Sequence, residues 1–334
     1  MRLHLNENTA GCSPAVMETL RRLGRSDAGF YPDYGKAQEA VARCLGVPVD
    51  HLLLTNGMDE GILAAAAAAC RDHSNGVPEA IGVAPAFDEY EICTTAVGGR
   101  MVTVRLEDEG FELSAADIRA AVTPRTRIVF VTNPHNPSGR SVPLETLRGL
   151  ARDVAPALLF VDEAYADFSG ETLIDPATLA ALPNLVVGRT FSKAYGLAGL
   201  RAGALVALPA TLAPLRRVVP PYSVNAWAAA ALPVAIEDRA YRDGYLEQAA
   251  ASRALLSEAC GRLGLKTWPS AANFVLVRVG NVAAVVDGMA ARGVRVRDRS
   301  ADPGCGECIR ITAGFVEDTR RAIAALEEVV CAAR

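Results

Sequence analysis

Histidine is scarce in this chain, with four residues in 334, the last of them His135. No sign of charge dominates either: 34 Lys and Arg stand against 38 Asp and Glu, a net charge of −4. That balance excludes nucleic acid and an acidic membrane surface as expected partners, so any bound phosphate must be held by a few placed groups. Long hydrophobic runs are missing too. The longest, Ile62 to Cys70, is too short to cross a bilayer, and its alanines predict a buried helix. Met1 leads into the polar Asn6-Glu7-Asn8 without a secretory signal, which predicts a cytoplasmic protein with reduced thiols. Its eight cysteines are mostly scattered singly. Cys305 and Cys308 have CxxC spacing, but zinc needs a second pair or histidines nearby, so no metal is expected and a surface loop before a strand is the plain reading. There is no internal repeat, and no G-x-G-x-x-G follows a strand, which argues against a nicotinamide dehydrogenase.

What is present is an ordinary globular composition, 51% apolar and 22% charged, long enough for one large domain and a smaller one. Apolar β-rich runs fall at Leu52–Thr55, Ile81–Ala84, Met101–Leu106, Ile128–Thr132, Leu158–Val161, Leu185–Val187 and Ala204–Ala207. Amphipathic or Ala-rich stretches alternate with them at 58–71, 86–97, 114–122 and 143–154. This alternation predicts an α/β fold, a mostly parallel seven-stranded sheet with helices on both faces. The rhythm changes near residue 245. A helix over 245–263, a strand Phe274–Val279, a helix over 282–292, short strands near Val294–Arg297 and Ile309–Thr312, and a last helix over 317–332 predict a small α+β domain. The expected organisation is an N-terminal arm (1–30) packed with the small domain, a large domain (31–244) and a small C-terminal domain (245–334).

Ligands bind at strand ends in open α/β sheets, and four polar motifs fall there. Thr55-Asn56-Gly57-Met58-Asp59-Glu60 opens a helix, whose free N–H groups suit a phosphate; many loop-to-helix turns look alike. Asn133-Pro134-His135-Asn136-Pro137-Ser138-Gly139 is a constrained loop that could aim the Asn136 amide at a ligand, or a plain turn. Asp162-Glu163-Ala164-Tyr165 puts an acid at the end of a buried strand, where it needs a partner such as a pyridinium N–H, unless it is a helix cap or half of a salt bridge. Thr190-Phe191-Ser192-Lys193 precedes Gly199-Leu200-Arg201. A lysine in an apolar pocket has a depressed pKa and can form a Schiff base, while Ser192 and Arg201 could hold a phosphate.

Taken together and in this order, the four motifs resemble the fold-type-I pyridoxal-phosphate-dependent aminotransferases of class I/II over essentially the whole chain. Within that group the likeness runs to the histidinol-phosphate aminotransferase family, through Leu5-Asn6-Glu7-Asn8, Tyr31-Pro32-Asp33, Gly57-Met58-Asp59-Glu60, Pro85-Ala86-Phe87-Asp88-Glu89-Tyr90, Phe191-Ser192-Lys193, Asn273-Phe274 and Ile309-Arg310-Ile311-Thr312. The resemblance implies the cofactor pyridoxal 5′-phosphate, an amino donor and a 2-oxo-acid acceptor, and a homodimer with shared active sites. It makes Lys193 the Schiff-base lysine, Asp162 the partner of the ring nitrogen, and Asn136 and Tyr165 the neighbours of O3′. Tyr90 would stack on the ring. Met58, Asp59, Thr190, Ser192, Arg201 and a partner's Tyr31 would hold the phosphate. Arg310 would clamp the substrate, with Arg297, Asn6 and Asn136 beside it. Two departures stand out. The arm reads Asn8-Thr9-Ala10-Gly11-Cys12 where the family has proline and an aromatic, and Met58 replaces a small residue. The altered arm leaves open a second class of reaction on the same fold, by a decarboxylase, lyase or oxidase.

Overall fold

The computed structural model describes residues 1–106 and 110–332. Seven strands form the larger sheet: β1 Leu52–Thr55, β2 Glu79–Ala84, β3 Arg100–Arg105, β4 Thr126–Thr132, β5 Leu158–Asp162, β6 Leu185–Thr190 and β7 Gly203–Val206. Their order is β1-β7-β6-β5-β4-β2-β3, parallel from β3 through β6, with β7 antiparallel to both neighbours. The inner strands are apolar on both faces because helices cover both, whereas the edge strand β3 exposes Arg100, Thr103 and Arg105. Ile128, Phe130, Phe160 and Val186 feed one core, while Val129, Val131, Val161 and Val187 feed the other. Side chains alternate along a strand, so a one-residue slip would exchange the two cores. Each such side chain contributes about 1.5–3 kcal/mol of burial, which fixes the register of the strand ends that carry the polar motifs.

A smaller antiparallel sheet follows, with β8 Lys266–Thr267, β9 Phe274–Arg278, β10 Arg297–Asp298 and β11 Cys308–Thr312 in the order β10-β11-β9-β8. Helices Arg239–Arg262, Val282–Ala291 and Val316–Ala332 pack on it around Leu256, Val275, Ile309, Ile311 and Leu326.

Several elements differ from the sequence reading. The long helix starts at Arg239 rather than 245, because the Asp238 side chain accepts a hydrogen bond from Tyr241 N and caps it. The short strand expected near Val294–Arg297 shrinks to Arg297–Asp298, and Arg295 instead bridges to Arg2. The first 30 residues do not pack with the smaller sheet alone. Helix Pro14–Arg21, capped by Ser13, lays Val16 into the core of the larger sheet, whereas Leu3 enters the core of the smaller one. Strand β2 begins two residues early, at Glu79. This carboxylate is fully buried at the start of the strand, on Arg100, Arg125 (2.9 Å) and Thr123 (2.6 Å). Burial opposes its charge, but the bonds to Thr123, Arg125 and Arg100 outweigh that and hold the carboxyl at about 2.

Candidate active site

The C-terminal ends of β4, β5 and β6 and the helix after β1 converge on one cavity of about 350 Å³, which the smaller sheet closes from above. Asp162 ends β5 and is 4% exposed. Its Oδ1 accepts from Ala164 N (3.0 Å) and its Oδ2 from the Tyr90 hydroxyl (2.8 Å). No ion pair neutralises it among the described residues. Burial raises its pKa to about 6, against the Tyr90 hydrogen bond. Such an acid has an acceptor to offer a ligand's N–H.

Lys193 lies three residues past β6, and its Nζ donates to Leu5 O at 2.9 Å. Burial, and then the charge of Arg310, lower it to about 8. Across the cavity, Arg310 on β11 donates to Asn136 Oδ1 (2.5 Å) and His4 O (3.0 Å) and lies over the Phe274 ring. Its Nε has no partner, and burial brings its pKa down to about 10. Asn6 takes a left-handed backbone (φ 55°) that turns its amide onto the Tyr165 hydroxyl at 2.9 Å. Burial raises the pKa of Tyr165, and Arg310 opposes the rise.

The opposite end of the cavity is a helix N-terminus beside an arginine. Arg201 donates to Asp59 (2.6 Å), and Gly57 opens the helix Gly57–Ala69 with φ +79°. A Cβ on Gly57 would lie 2.5 Å from the Arg201 guanidinium. Only glycine gives both this backbone and this approach. Ser192 and Thr190 lie alongside. Met58 departs from the small residue of the resemblance, and the structure absorbs it inward. Its sulfur is where a Cβ on Gly188 would sit 2.6 Å away, so the side chain fills space beneath β6 while its backbone remains at the helix start.

Most residues singled out in the sequence therefore meet in one place. Tyr90 is a correction. Its ring stacks on Phe130 (centroids 5.0 Å apart) and its hydroxyl binds Asp162 and Thr132, so it backs the acid instead of facing the cavity. Phe87, three residues earlier and edge-on to Tyr90, is the aromatic wall. Tyr31 does not reach the cavity of its own chain. It is 78% exposed and stacked on Tyr222. Arg297 lies at the cavity with Arg299 and His4, neither of which the sequence reading singled out. His135 proves structural. Its Nε2 lies 2.8 Å from Pro85 O, a pure acceptor, so this nitrogen carries the proton and Nδ1 accepts from Ser138. Burial lowers its pKa to about 4.

The donor set fits a phosphorylated pyridine aldehyde. A buried unpaired acid suits the ring nitrogen, a lysine of lowered pKa suits the aldehyde, and the Gly57 turn with Arg201 suits the phosphate.

The chain matches the Aminotransferase class I and II family over residues 1–326. It is 38% identical to histidinol-phosphate aminotransferase 2 of Ralstonia nicotianae, over 100% of this chain and 89% of the relative. It is 36% identical to histidinol-phosphate aminotransferase 1 of Cupriavidus pinatubonensis, over 99% of this chain and 88% of the relative. The crystal structure of histidinol-phosphate aminotransferase from Sinorhizobium meliloti in complex with pyridoxal-5′-phosphate aligns with a TM-score of 0.87 at 28% identity, covering 100% of this chain and 91% of that one. Aspartate aminotransferase from Thermus thermophilus with maleate shares the fold, with a TM-score of 0.82 at 23% identity over 98% of this chain and 91% of that one. With the family match spanning nearly the whole chain and the site built for its cofactor, the protein belongs to the class I and II aminotransferases and is a pyridoxal-phosphate-dependent enzyme of that family.

Proposed function

We propose that the chain moves an amino group from an amino-alcohol phosphate of the histidinol phosphate type to a 2-oxo acid. The observation that carries this is the cationic wall facing Lys193. Arg310 and Arg297 line the same cavity, and neither has a carboxylate partner among the described residues. An anionic substrate group answers that wall in bidentate pairs. The names of the relatives at 36–38% identity support the same substrate. Those names all denote amino transfer, so the decarboxylase, lyase or oxidase reading is not adopted.

Bound here, pyridoxal phosphate supplies an aldehyde that takes up the amino group and a ring that accepts the electrons of the Cα–H bond. Lys193 would hold it through Nζ, and the same amine is placed to carry the proton from the substrate Cα. With a pKa near 8, about a tenth of Lys193 is neutral at pH 7. Asp162 accepts the ring N–H in a charge-assisted bond and keeps that nitrogen protonated. Asn136 and Tyr165 serve the ring's oxygen, with Asn6 orienting the Tyr165 hydroxyl. Thr190, Ser192, Arg201 and the N–H groups of Met58 and Asp59 hold the phosphate. Phe87 takes the ring contact assigned to Tyr90 in the sequence reading.

The exposed Phe30, Tyr31 and Tyr222 support a homodimer in which the partner subunit's Tyr31 completes the phosphate site. Eight cysteines, mostly scattered singly, support a reducing, cytoplasmic setting. The test is a half-reaction. The holoenzyme receives histidinol phosphate without a 2-oxo acid, and its visible absorbance is followed. Conversion to the amine form of the cofactor is expected. A spectrum unmoved by histidinol phosphate but converted by another amine would overturn the substrate.

A further inference from the structure

Arg299 is buried although it sits two residues beyond Arg297 at the rim of the smaller sheet. It forms an ion pair with Asp302 and donates to Ala86 O at 3.3 Å. That carbonyl belongs to the turn of the larger body that carries Phe87. The carbonyl just before it, Pro85 O, accepts from the neutral imidazole of His135 at 2.8 Å. Two consecutive carbonyls of one turn are thus held by side chains of two different bodies. Asp302 and Pro303 also share a cavity of about 280 Å³ with Pro85, Ala86, Phe87 and Tyr90, so the loop after β10 sits directly over this turn.

We propose that Arg299, held in place by Asp302, is a positioning residue that fixes the Phe87 turn and so ties the aromatic wall of the active site to the smaller body. The alternative role, a third arginine for the substrate's anion, is opposed by its partners. Its carboxylate partner and its Ala86 O contact both lie at the Phe87 turn, so a substrate anion would have to compete with them there. Arg297 has no carboxylate partner among the described residues and remains available for that task.

The inference rests on the proposed placement of the cofactor ring beside Phe87, and two measurements separate the two ideas. The variants are Arg299→Ala, Arg299→Lys and Asp302→Asn, each compared with wild-type holoenzyme by visible circular dichroism of the resting cofactor and by kcat and KM. A wild-type enzyme without a visible cofactor band would sink the placement itself. If Arg299 positions the turn, Arg299→Ala changes the dichroism and lowers kcat about ten- to a hundredfold, as misplacement of a reacting group does. Asp302→Asn then shifts both in the same direction, although it removes no positive charge. KM for the phosphorylated substrate moves less than kcat. The proposal is overturned if Arg299→Ala raises KM about tenfold or more with kcat and dichroism unchanged, as loss of a charge-assisted substrate contact would. It is equally overturned if Asp302→Asn leaves the dichroism and kcat at wild-type values. If Arg299→Ala does not fold, Arg299→Lys and Asp302→Asn carry the same comparison.

Discussion

Replacing Tyr90 by phenylalanine removes one oxygen atom and, with it, the bonds to Asp162 Oδ2 (2.8 Å) and Thr132 Oγ1 (2.7 Å). The ring keeps its place, because stacking on Phe130 and the contact with Phe87 do not involve the hydroxyl. The electrostatic consequence falls on Asp162, whose pKa burial has already raised to about 6 and which Tyr90 holds down. A hydrogen bond to a charged group is worth about 1.5–3 kcal/mol, or about one to two pH units. Losing it carries the carboxyl across neutrality. On the proposed placement, ionised Asp162 keeps the ring nitrogen protonated, so the acid limb of the kcat–pH profile moves to higher pH. At pH 7, kcat falls about two- to tenfold, while at high pH much of it returns. The assay is kcat against pH for wild type and Tyr90→Phe, with melting temperature as the control for folding. An acid limb that stays in place, with kcat at pH 7 unchanged from wild type, would refute the link between Tyr90 and Asp162.

Three further outcomes are expected. Lys193→Ala loses the visible band of covalently held cofactor, and a retained band in its absorbance spectrum would reassign the lysine. Gly57→Ala strains a backbone at φ +79° and crowds Arg201, so equilibrium dialysis should find pyridoxal phosphate bound about tenfold more weakly; unchanged binding would move the phosphate elsewhere. Glu79→Gln breaks a buried carboxylate with two arginines and costs about 1–3 kcal/mol near neutral pH. The folded pKa of Glu79 is depressed to about 2, so its contribution is present above the unfolded carboxylate range and fades as pH falls toward 2. The gap in melting temperature between wild type and Glu79→Gln should therefore narrow on acidification, and a constant gap would contradict the assignment.

The parts of the site that could be read in the sequence are those where chemistry breaks a local pattern. Asp162 and Lys193 are charges next to apolar strands, and an isolated charge in such a place demands a partner. Arg310, likewise, interrupts the apolar alternation of β11. What was hidden depended on distance in the chain or on helical phase. Phe87 and Tyr90 are three residues apart in one motif, and only the turn before helix Glu89–Ala96 decides which of the two faces the cavity. Glu79 gave no signal because its partners lie at 100, 123 and 125, and a charge at the start of an apolar run reads as the end of a loop. Arg299 belongs to no motif. Its meaning comes from Ala86, 213 positions away. The early start of helix Arg239–Arg262 was missed because the polar residues near 240 obscured the Asp238 cap.

The pocket that Met58 fills beneath β6 has a consequence for how this sequence can drift. Residues 58 and 188 draw on one shared volume, although 130 positions separate them. A methyl group gained at 188 demands a smaller side chain at 58 and a small shift of the Phe160 ring, whose Cζ would lie 3.1 Å away. The two positions should change as a pair across relatives, and a double replacement should be tolerated where Gly188→Ala alone is not.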